Sequence, residues 1–250
     1  MGIVRRWSAL GVGLCAALVL VAGCQSGGGI GGIGAAPNTA AANGHSGGGS
    51  GSTGSGSGGS GGSGGAQGSA DGTGCQFSNL TSCLMPKPDN ATTPSGDWNK
   101  DGVMSQADYV KWFSDEASTQ SQISDELKQD DFTTAAHRHW QGTHDVAAEV
   151  VLVNFSSTSG ATEWIDADNK GFEGDSTIQK VTSPSIPGVY LFDYLTTNSD
   201  GTYSTAAIGR FGTVVMEFYA YSSKKQDPLA ENQLASWAAV QAGILKRAAA

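Results

Sequence analysis

The sequence predicts an α+β domain in residues 75–250, with helices packed on one face of a mainly antiparallel sheet. Three observations support this fold class: four runs rich in Val, Ile, Tyr and Phe lie within residues 146–221, helical periodicity precedes and follows them, and a short turn motif joins two of the runs. Strands joined by short turns pair antiparallel. The helices are expected to form a second layer, because a sheet buries its apolar face against another layer of secondary structure.

Two helices are predicted before the strands. The first spans residues 106–117, because Ser105 and Asp108 match a capping box and apolar residues follow at helical spacing. Ile123 and Leu127 indicate a second helix, which ends before Asp130.

The strands are predicted at residues 146–155, 188–195, 203–209 and 213–221. Asp200-Gly201 is typical of a hairpin turn between the second and the third of these strands. Between the first and the second, Ser156 or Ser157 is expected to cap a short helix.

The last helix has the clearest boundaries. Asp227 is suited to the N-cap, Pro228 to the first helical position, and Lys246-Arg247 to the C-terminal end of the helix dipole. One apolar stripe faces the core, formed by Leu234, Trp237, Ala238, Ile244 and Leu245.

Glycine usage separates a tether from the domain. Of the 37 glycines in the 250-residue chain, 22 lie in residues 25–74, which hold one acidic residue and no Lys or Arg. Such a segment cannot bury enough apolar surface to fold, so the N-terminal third is expected to be disordered. The expected organisation is a signal peptide in residues 1–23, a Gly/Ser-rich tether in residues 24–74 and a single α+β domain in residues 75–250.

The N-terminus has the layout of an export signal, with two positive charges in residues 1–6 and an apolar stretch in residues 7–21. The stretch ends in Val21-Ala22-Gly23-Cys24, which resembles the lipobox of bacterial lipoproteins. This resemblance implies a diacylglycerol on the Cys24 sulfur, cleavage before Cys24, and a location on the outer face of the cell membrane. The alternative is an ordinary secretory signal with a chance cysteine.

Cys75 and Cys83 are the cysteines left after the signal and Cys24. In an oxidising compartment they most simply form a disulfide where the tether ends. A redox or metal role would need a C-x-x-C spacing or nearby histidines, and the sequence has neither around this pair.

Five short motifs stand out in the domain: Leu84-Met85-Pro86, Ser95-Gly96-Asp97-Trp98, Ala107-Asp108-Tyr109-Val110, Val153-Asn154-Phe155-Ser156-Ser157 and Gly160-Ala161. In combination they resemble a group of tethered actinobacterial lipoproteins. The resemblance implies a surface-anchored α+β domain similar to the PsbP-like fold, and it brings no catalytic residues.

Residues 97–108 match a calcium loop of the EF-hand type, with glycine at the sixth position. Position twelve is Asp rather than Glu, and a Pro-rich stretch replaces the entering helix. The alternative is an Asx-type turn that runs into a capped helix. No cofactor is assigned from the sequence, and calcium is the candidate at this loop. Its candidate ligands are the Val103 carbonyl and the side chains of Asp97, Asn99, Asp101, Ser105 and Asp108.

Three histidines form a candidate zinc site. His137 and His139 point to one face of a strand, and a hairpin at Gln141-Gly142-Thr143 would return His144 beside them. The alternative is that they are exposed strand residues.

Charge limits the function classes. From Cys75 onward the chain has 22 acidic and 12 basic residues, which argues against binding to nucleic acid and against electrostatic docking on anionic lipid.

The favoured function is a non-catalytic binding or protein-interaction domain on the envelope, for an envelope protein, a glycan or a small hydrophobic ligand. An exposed aromatic patch around Tyr190, Tyr194, Tyr219 or Tyr221 would favour a protein or glycan. The alternatives are a structural role in the envelope and a metal-dependent enzyme that uses His137, His139 and His144.

Overall fold

One antiparallel sheet organises the fold in the computed structural model, and among the residues that the structure describes it has seven strands in the order β1-β2-β3-β7-β6-β5-β4. The described residues are 73–89, 91–93, 101–114, 116–142, 146–198 and 200–250. The strands are Gly102–Met104 (β1), Phe132–Gln141 (β2), Ala147–Phe155 (β3), Ile178–Ile186 (β4), Val189–Tyr194 (β5), Tyr203–Phe211 (β6) and Val214–Ser222 (β7). The expected signal peptide, Cys24 and the tether through residue 72 lie outside the described residues.

Four α-helices accompany the sheet in the described part of the chain, preceded by a short 3₁₀ helix, Leu80–Cys83. The α-helices are Gln106–Phe113 (α1), Ala117–Gln129 (α2), Thr158–Gly174 (α3) and Pro228–Ala249 (α4). The predicted α+β class with a C-terminal helix is confirmed.

The predicted helix caps are confirmed where they can be compared. Ser105 and Asp108 form a reciprocal capping box at the start of α1. Ser157, rather than Ser156, caps α3 through a 3.0 Å hydrogen bond from the Gly160 amide. Asp227 caps α4 by accepting a bond from the Leu229 amide.

The prediction that the helices pack on one face of the sheet is wrong. In β7 every residue is buried, and alternate side chains belong to two separate cores. Met216 packs in a core that includes Leu234 of α4, whereas Val215 packs in a core that includes Phe113 of α1 and Trp164 of α3. A strand that is apolar on both faces needs a covering layer on each, so helices occupy both sides.

We call these two sides the α4 face and the α3 face. The α4 face is covered by α4 and by the disulfide segment, residues 75–85, whereas the α3 face is covered by α1, α2 and α3. The described residues belong to one compact unit. In this part of the chain, no helix combines the length and the apolar character that a membrane crossing requires.

Strand boundaries depart from prediction at the sheet edges. The edge strands β1 and β4 were not predicted, and α1 ends at Phe113 rather than at Ala117, which instead begins α2. β4 carries polar residues such as Lys180 and Thr182, so its identity depends on pairing with β5 rather than on apolar periodicity. The predicted hairpin at Gly201 is present between β5 and β6, with φ of 82° at this glycine.

Candidate functional site

Two carboxylates lie side by side in the interior of the sheet. Glu149 of β3 is 4% exposed, and Glu217 of β7 is fully buried. Glu217 lies opposite Val151, two residues along β3 from Glu149, so both glutamates extend from neighbouring central strands to the α3 face. Charged residues in this position are rare, because removing a carboxylate from water is costly unless hydrogen bonds compensate.

Glu149 is held by side chains from three elements. One of its carboxylate oxygens, Oε2, accepts a 3.0 Å hydrogen bond from Trp112 Nε1 of α1 and lies 3.1 Å from His137 Nε2 of β2. The other oxygen accepts a hydrogen bond from the Tyr221 hydroxyl of β7. The carboxylate therefore connects α1 to the sheet.

Glu217 is held by two helices. Its Oε1 accepts a 2.8 Å hydrogen bond from the Tyr109 hydroxyl of α1 and a 3.2 Å bond from Trp164 Nε1 of α3. Tyr109 and Trp112 are three residues apart, so they share one face of α1 and each reaches a different carboxylate. Their rings stack with centroids 5.5 Å apart.

We call this group the carboxylate–aromatic cluster. It joins two carboxylates to five N–H and O–H groups from four elements, and none of its side chains is more than 9% exposed. Aromatic faces and carboxylate oxygens together can contact the C–H and O–H groups of one polar molecule. Its members are Glu149, Glu217, Tyr109, Trp112, His137, Trp164 and Tyr221.

The sequence prediction placed His137 in a zinc site. His137 and His139 do share a strand face, with ring centroids 6.2 Å apart, but His137 is 2% exposed and contacts Glu149. The alternative of exposed strand residues is therefore wrong for His137. His144 lies outside the described residues, and within those that are described no group of three or more His, Cys, Asp or Glu gathers as metal ligands.

Asp101, a predicted calcium ligand, is engaged by cationic side chains. Its Oδ2 lies 2.8 Å from Lys87 Nζ and 3.7 Å from Arg138 Nε, and its Oδ1 accepts a 3.1 Å bond from the His139 amide. Burial lowers the pKa of Arg138, and Asp101 opposes that effect. This carboxylate thus joins the edge of the sheet to the segment that follows the disulfide.

Ser105 and Asp108, two further predicted calcium ligands, cap α1 instead of pointing to Asp101. Asp108 Oδ2 accepts bonds from the Ser105 hydroxyl and amide at 2.6 and 3.1 Å. The hydroxyl bond lowers the pKa of Asp108 most, followed by the amide bond. This geometry favours the capped-helix alternative. Asp97 and Asn99 lie outside the described residues, so calcium binding by the loop stays a prediction.

The disulfide segment is clamped to the domain. The sulfurs of Cys75 and Cys83 are 2.08 Å apart, as expected for the predicted bond. The buried Gln241 side chain of α4 donates to the Cys83 carbonyl at 2.7 Å and accepts from the Met85 amide at 2.8 Å. Arg138 donates to the carbonyls of Leu84 and Met85. The disulfide segment is therefore fixed on the α4 face.

Sequence reasoning missed the carboxylate–aromatic cluster and the Gln241 clamp. The signal was present as single polar residues within apolar patterns: Glu149 and Glu217 interrupt strand runs, and Gln241 lies on the buried stripe of α4. Of the four tyrosines considered for an exposed patch, Tyr219 and Tyr221 are buried, whereas Tyr190 is exposed and lies under the Lys180 ammonium.

No family model matches the chain, and no curated protein matches it. Among solved structures, the crystal structure of the extracellular domain of PknH from Mycobacterium tuberculosis is similar to this chain with a TM-score of 0.35. Its sequence is 13% identical, and the match covers 50% of this chain and 68% of that chain.

Proposed function

We propose that this protein is a lipid-anchored extracytoplasmic protein whose folded domain binds a ligand without catalysing a reaction. Support for the anchor comes from the export signal, the Val21-Ala22-Gly23-Cys24 motif and the Gly/Ser-rich tether. Two acyl chains on Cys24 would hold the protein at the membrane stably.

The arrangement of the domain fits display on a tether. The Cys75–Cys83 segment, where the tether ends, packs on the α4 face, and the carboxylate–aromatic cluster lies on the α3 face. Holding the domain therefore uses the opposite side of the sheet from the cluster. Gln241 and the disulfide fix the end of the tether on the α4 face, so anchoring and ligand binding would use different faces of the sheet.

The observation that carries the binding proposal is the burial of Glu149 and Glu217 among aromatic donors. Buried charged groups can often be replaced by packed apolar residues without loss of stability, so stability alone does not account for two carboxylates in the core. Their oxygens would accept bonds from ligand hydroxyl groups while indole and phenol rings pack against C–H faces. Of the three ligand classes considered, this chemistry favours a glycan.

Access to the cluster depends on α1. Tyr109 and Trp112 of α1 bond the two carboxylates, and the whole cluster is buried, so we propose that movement of this short helix admits a ligand to Glu149 and Glu217. Bound ligand would then change the environment of Trp112, and tryptophan fluorescence would report binding directly.

The anchor is tested by fractionation of Cys24→Ala. The wild-type chain is expected in the membrane fraction, and the variant is expected in the medium or unprocessed. Unchanged membrane fractionation with normal cleavage would overturn the lipid anchor and leave the binding proposal standing.

Binding is tested by titrating the detergent-solubilised full chain with oligosaccharides released from its own envelope. Saturable fluorescence change is expected for wild type and for Glu116→Gln, an exposed matched control at the start of α2. Glu149→Gln and Glu217→Gln are expected to weaken binding at least tenfold, since each removes a buried charged acceptor worth about 1.5–3 kcal/mol. Equal binding by all four proteins would remove the cluster as the site.

A further inference from the structure

Helix α1 supplies one hydrogen bond to each of the two buried carboxylates. The Tyr109 hydroxyl donates to Glu217 at 2.8 Å, and Trp112 Nε1 donates to Glu149 at 3.0 Å. When α1 moves to admit a ligand, both carboxylates lose one of these bonds at the same time. A buried acceptor that loses its donor is costly, so the ligand has to supply donors to both carboxylates.

The donors that do not belong to α1 are mostly uncharged. Glu149 contacts His137 and accepts a bond from the Tyr221 hydroxyl, and Glu217 accepts a 3.2 Å bond from Trp164 Nε1. Of these three partners, the phenol and the indole are neutral, and the imidazole is the one that can become positively charged. Neutral donors stabilise a buried carboxylate less than a charged donor does. A ligand that brings a positive charge therefore fits this site better than a neutral one.

The two carboxylates are close enough to share one ligand group. Glu217 lies opposite Val151 in the register of β3 and β7, so Glu149 and Glu217 are diagonal neighbours on one face. Diagonal positions on antiparallel strands are about 7–8 Å apart, within reach of long side chains. An ammonium group has three N–H donors, whereas a hydroxyl group has one. One ammonium can thus replace both bonds that α1 supplies.

Aromatic rings surround the same carboxylates. The Trp112 ring lies 5.5 Å from Tyr109 and 6.0 Å from Tyr219, and the Tyr109 ring lies 6.1 Å from Trp164, measured between centroids. Tyr219 is also the cross-strand partner of Glu149. The faces of such rings attract cations as well as the C–H groups of a sugar.

We infer that the glycan bound by the carboxylate–aromatic cluster carries a free, protonated amino group, as an amino sugar does. This inference rests on the proposed function and names the chemistry of its ligand. The ammonium lies between Glu149 and Glu217 in place of the Tyr109 and Trp112 donors, and the sugar ring packs on the aromatic side chains. The excess of acidic residues from Cys75 onward, 22 against 12 basic ones, also attracts a cationic ligand.

Two tetrasaccharides that differ only at the amino groups test this inference on the detergent-solubilised full chain. One is a glucosamine tetrasaccharide, and the other is the glucose tetrasaccharide of the same linkage, which has a hydroxyl group at each amino position. At about pH 6.5, below the ordinary pKa of an amine, the first is protonated. Tryptophan fluorescence is expected to show that wild type binds the glucosamine tetrasaccharide at least about tenfold more tightly, because charge-assisted hydrogen bonds are about twice as strong as neutral ones.

Substitutions assign this preference to the cluster. Glu149→Gln and Glu217→Gln each remove one of the two charges that face the ammonium, so the preference is expected to fall to about threefold, as half of the attraction is lost. Glu116→Gln, an exposed substitution of the same kind, is expected to keep the wild-type preference. The comparison of the two tetrasaccharides needs no variant, so it decides the inference even if a glutamine variant does not fold.

Four results separate this inference from the proposed function. Equal or tighter binding of the glucose tetrasaccharide overturns the amino group, and so does a preference that both glutamine variants retain. Tetralysine carries ammonium groups without a sugar ring, and binding as tight as that of the glucosamine tetrasaccharide overturns it by showing that the acidic domain attracts any polycation. Failure of both tetrasaccharides, while oligosaccharides from the envelope bind, overturns the amino group and leaves glycan binding standing. Failure of the envelope oligosaccharides as well overturns the proposed function itself.

Discussion

Trp112 of α1 donates a 3.0 Å hydrogen bond to Glu149 of β3, and this contact fastens a short helix over the centre of the sheet. The same carboxylate contacts His137 and Tyr221. A helix of eight residues has little stability of its own, so such side-chain contacts decide whether it stays in place. Bonds of this type therefore help to hold α1 on the α3 face.

Trp112→Phe is expected to lower the free energy of unfolding by about 1–3 kcal/mol more than Trp140→Phe, measured by urea denaturation. Both substitutions shorten a buried tryptophan, but among the described residues Trp140 Nε1 has no hydrogen-bond partner. The difference between the variants isolates the bond to Glu149. Equal losses would show that this bond contributes no net stability.

Gly160→Ala is expected to destabilise the domain by about 1–3 kcal/mol. A Cβ at this position would lie 2.0 Å from the carbonyl oxygen of Asp130, so the start of α3 and the end of α2 would have to separate. Gly174→Ala at the other end of α3 is the matched control, because apart from its chain neighbours and the adjacent backbone of its own helix no described atom lies within 4 Å of its added Cβ. Thermal unfolding that ranks the two variants equally would contradict the close approach.

Asp130→Asn is expected to flatten part of the pH dependence of stability. Burial raises the pKa of Asp130 to about 6, with further contributions from Glu163, Glu126 and Asp131. Its protonated form therefore adds stability that is complete below about pH 3.8 and is lost as the pH rises through about 6. Melting temperatures across this range should fall less in the variant than in wild type. Asp166→Asn, on the exposed side of α3, should reproduce the wild-type curve.

The Cys75–Cys83 bond is expected to contribute about 2–3 kcal/mol by closing a short loop. The double variant Cys75→Ser/Cys83→Ser should lose this amount in urea denaturation, and thiol labelling of the native protein should modify neither cysteine. Labelling of both would refute the bridge.

Gln241→Leu in the protein that keeps the disulfide is expected to lower the free energy of unfolding by about 1–3 kcal/mol in urea denaturation. The substitution leaves the Cys83 carbonyl and the Met85 amide without their side-chain partner.

Local features of this fold were predictable from the sequence, because their causes lie within a few residues. The capping groups Ser105, Ser157 and Asp227 each bond to an amide two or three residues away. The hairpin glycine Gly201 adopts a positive φ, and the pair Asp200-Gly201 is typical of such a turn.

Long-range features were not predictable in the same way. Tyr109 and Glu217 are separated by 108 residues, and their bond forms only because α1 lies over β7. The structure buries residues of β3 and β7 on both faces, whereas helices were predicted on one face only, because which helix covers which face depends on chain path rather than composition. The edge strand β4 was not predicted for a similar reason, because it forms by pairing with β5.

Native mass spectrometry of the full chain purified from its own envelope tests the binding claim most directly. A bound glycan is expected in wild type and Glu116→Gln, and its loss is expected in Glu149→Gln/Glu217→Gln when the variant remains folded by circular dichroism. If the double variant does not fold, Trp112→Phe, which keeps both carboxylates, should retain the ligand with weaker occupancy. A chain without any bound species, or one whose bound species is unaffected by these substitutions, would contradict glycan binding by the carboxylate–aromatic cluster.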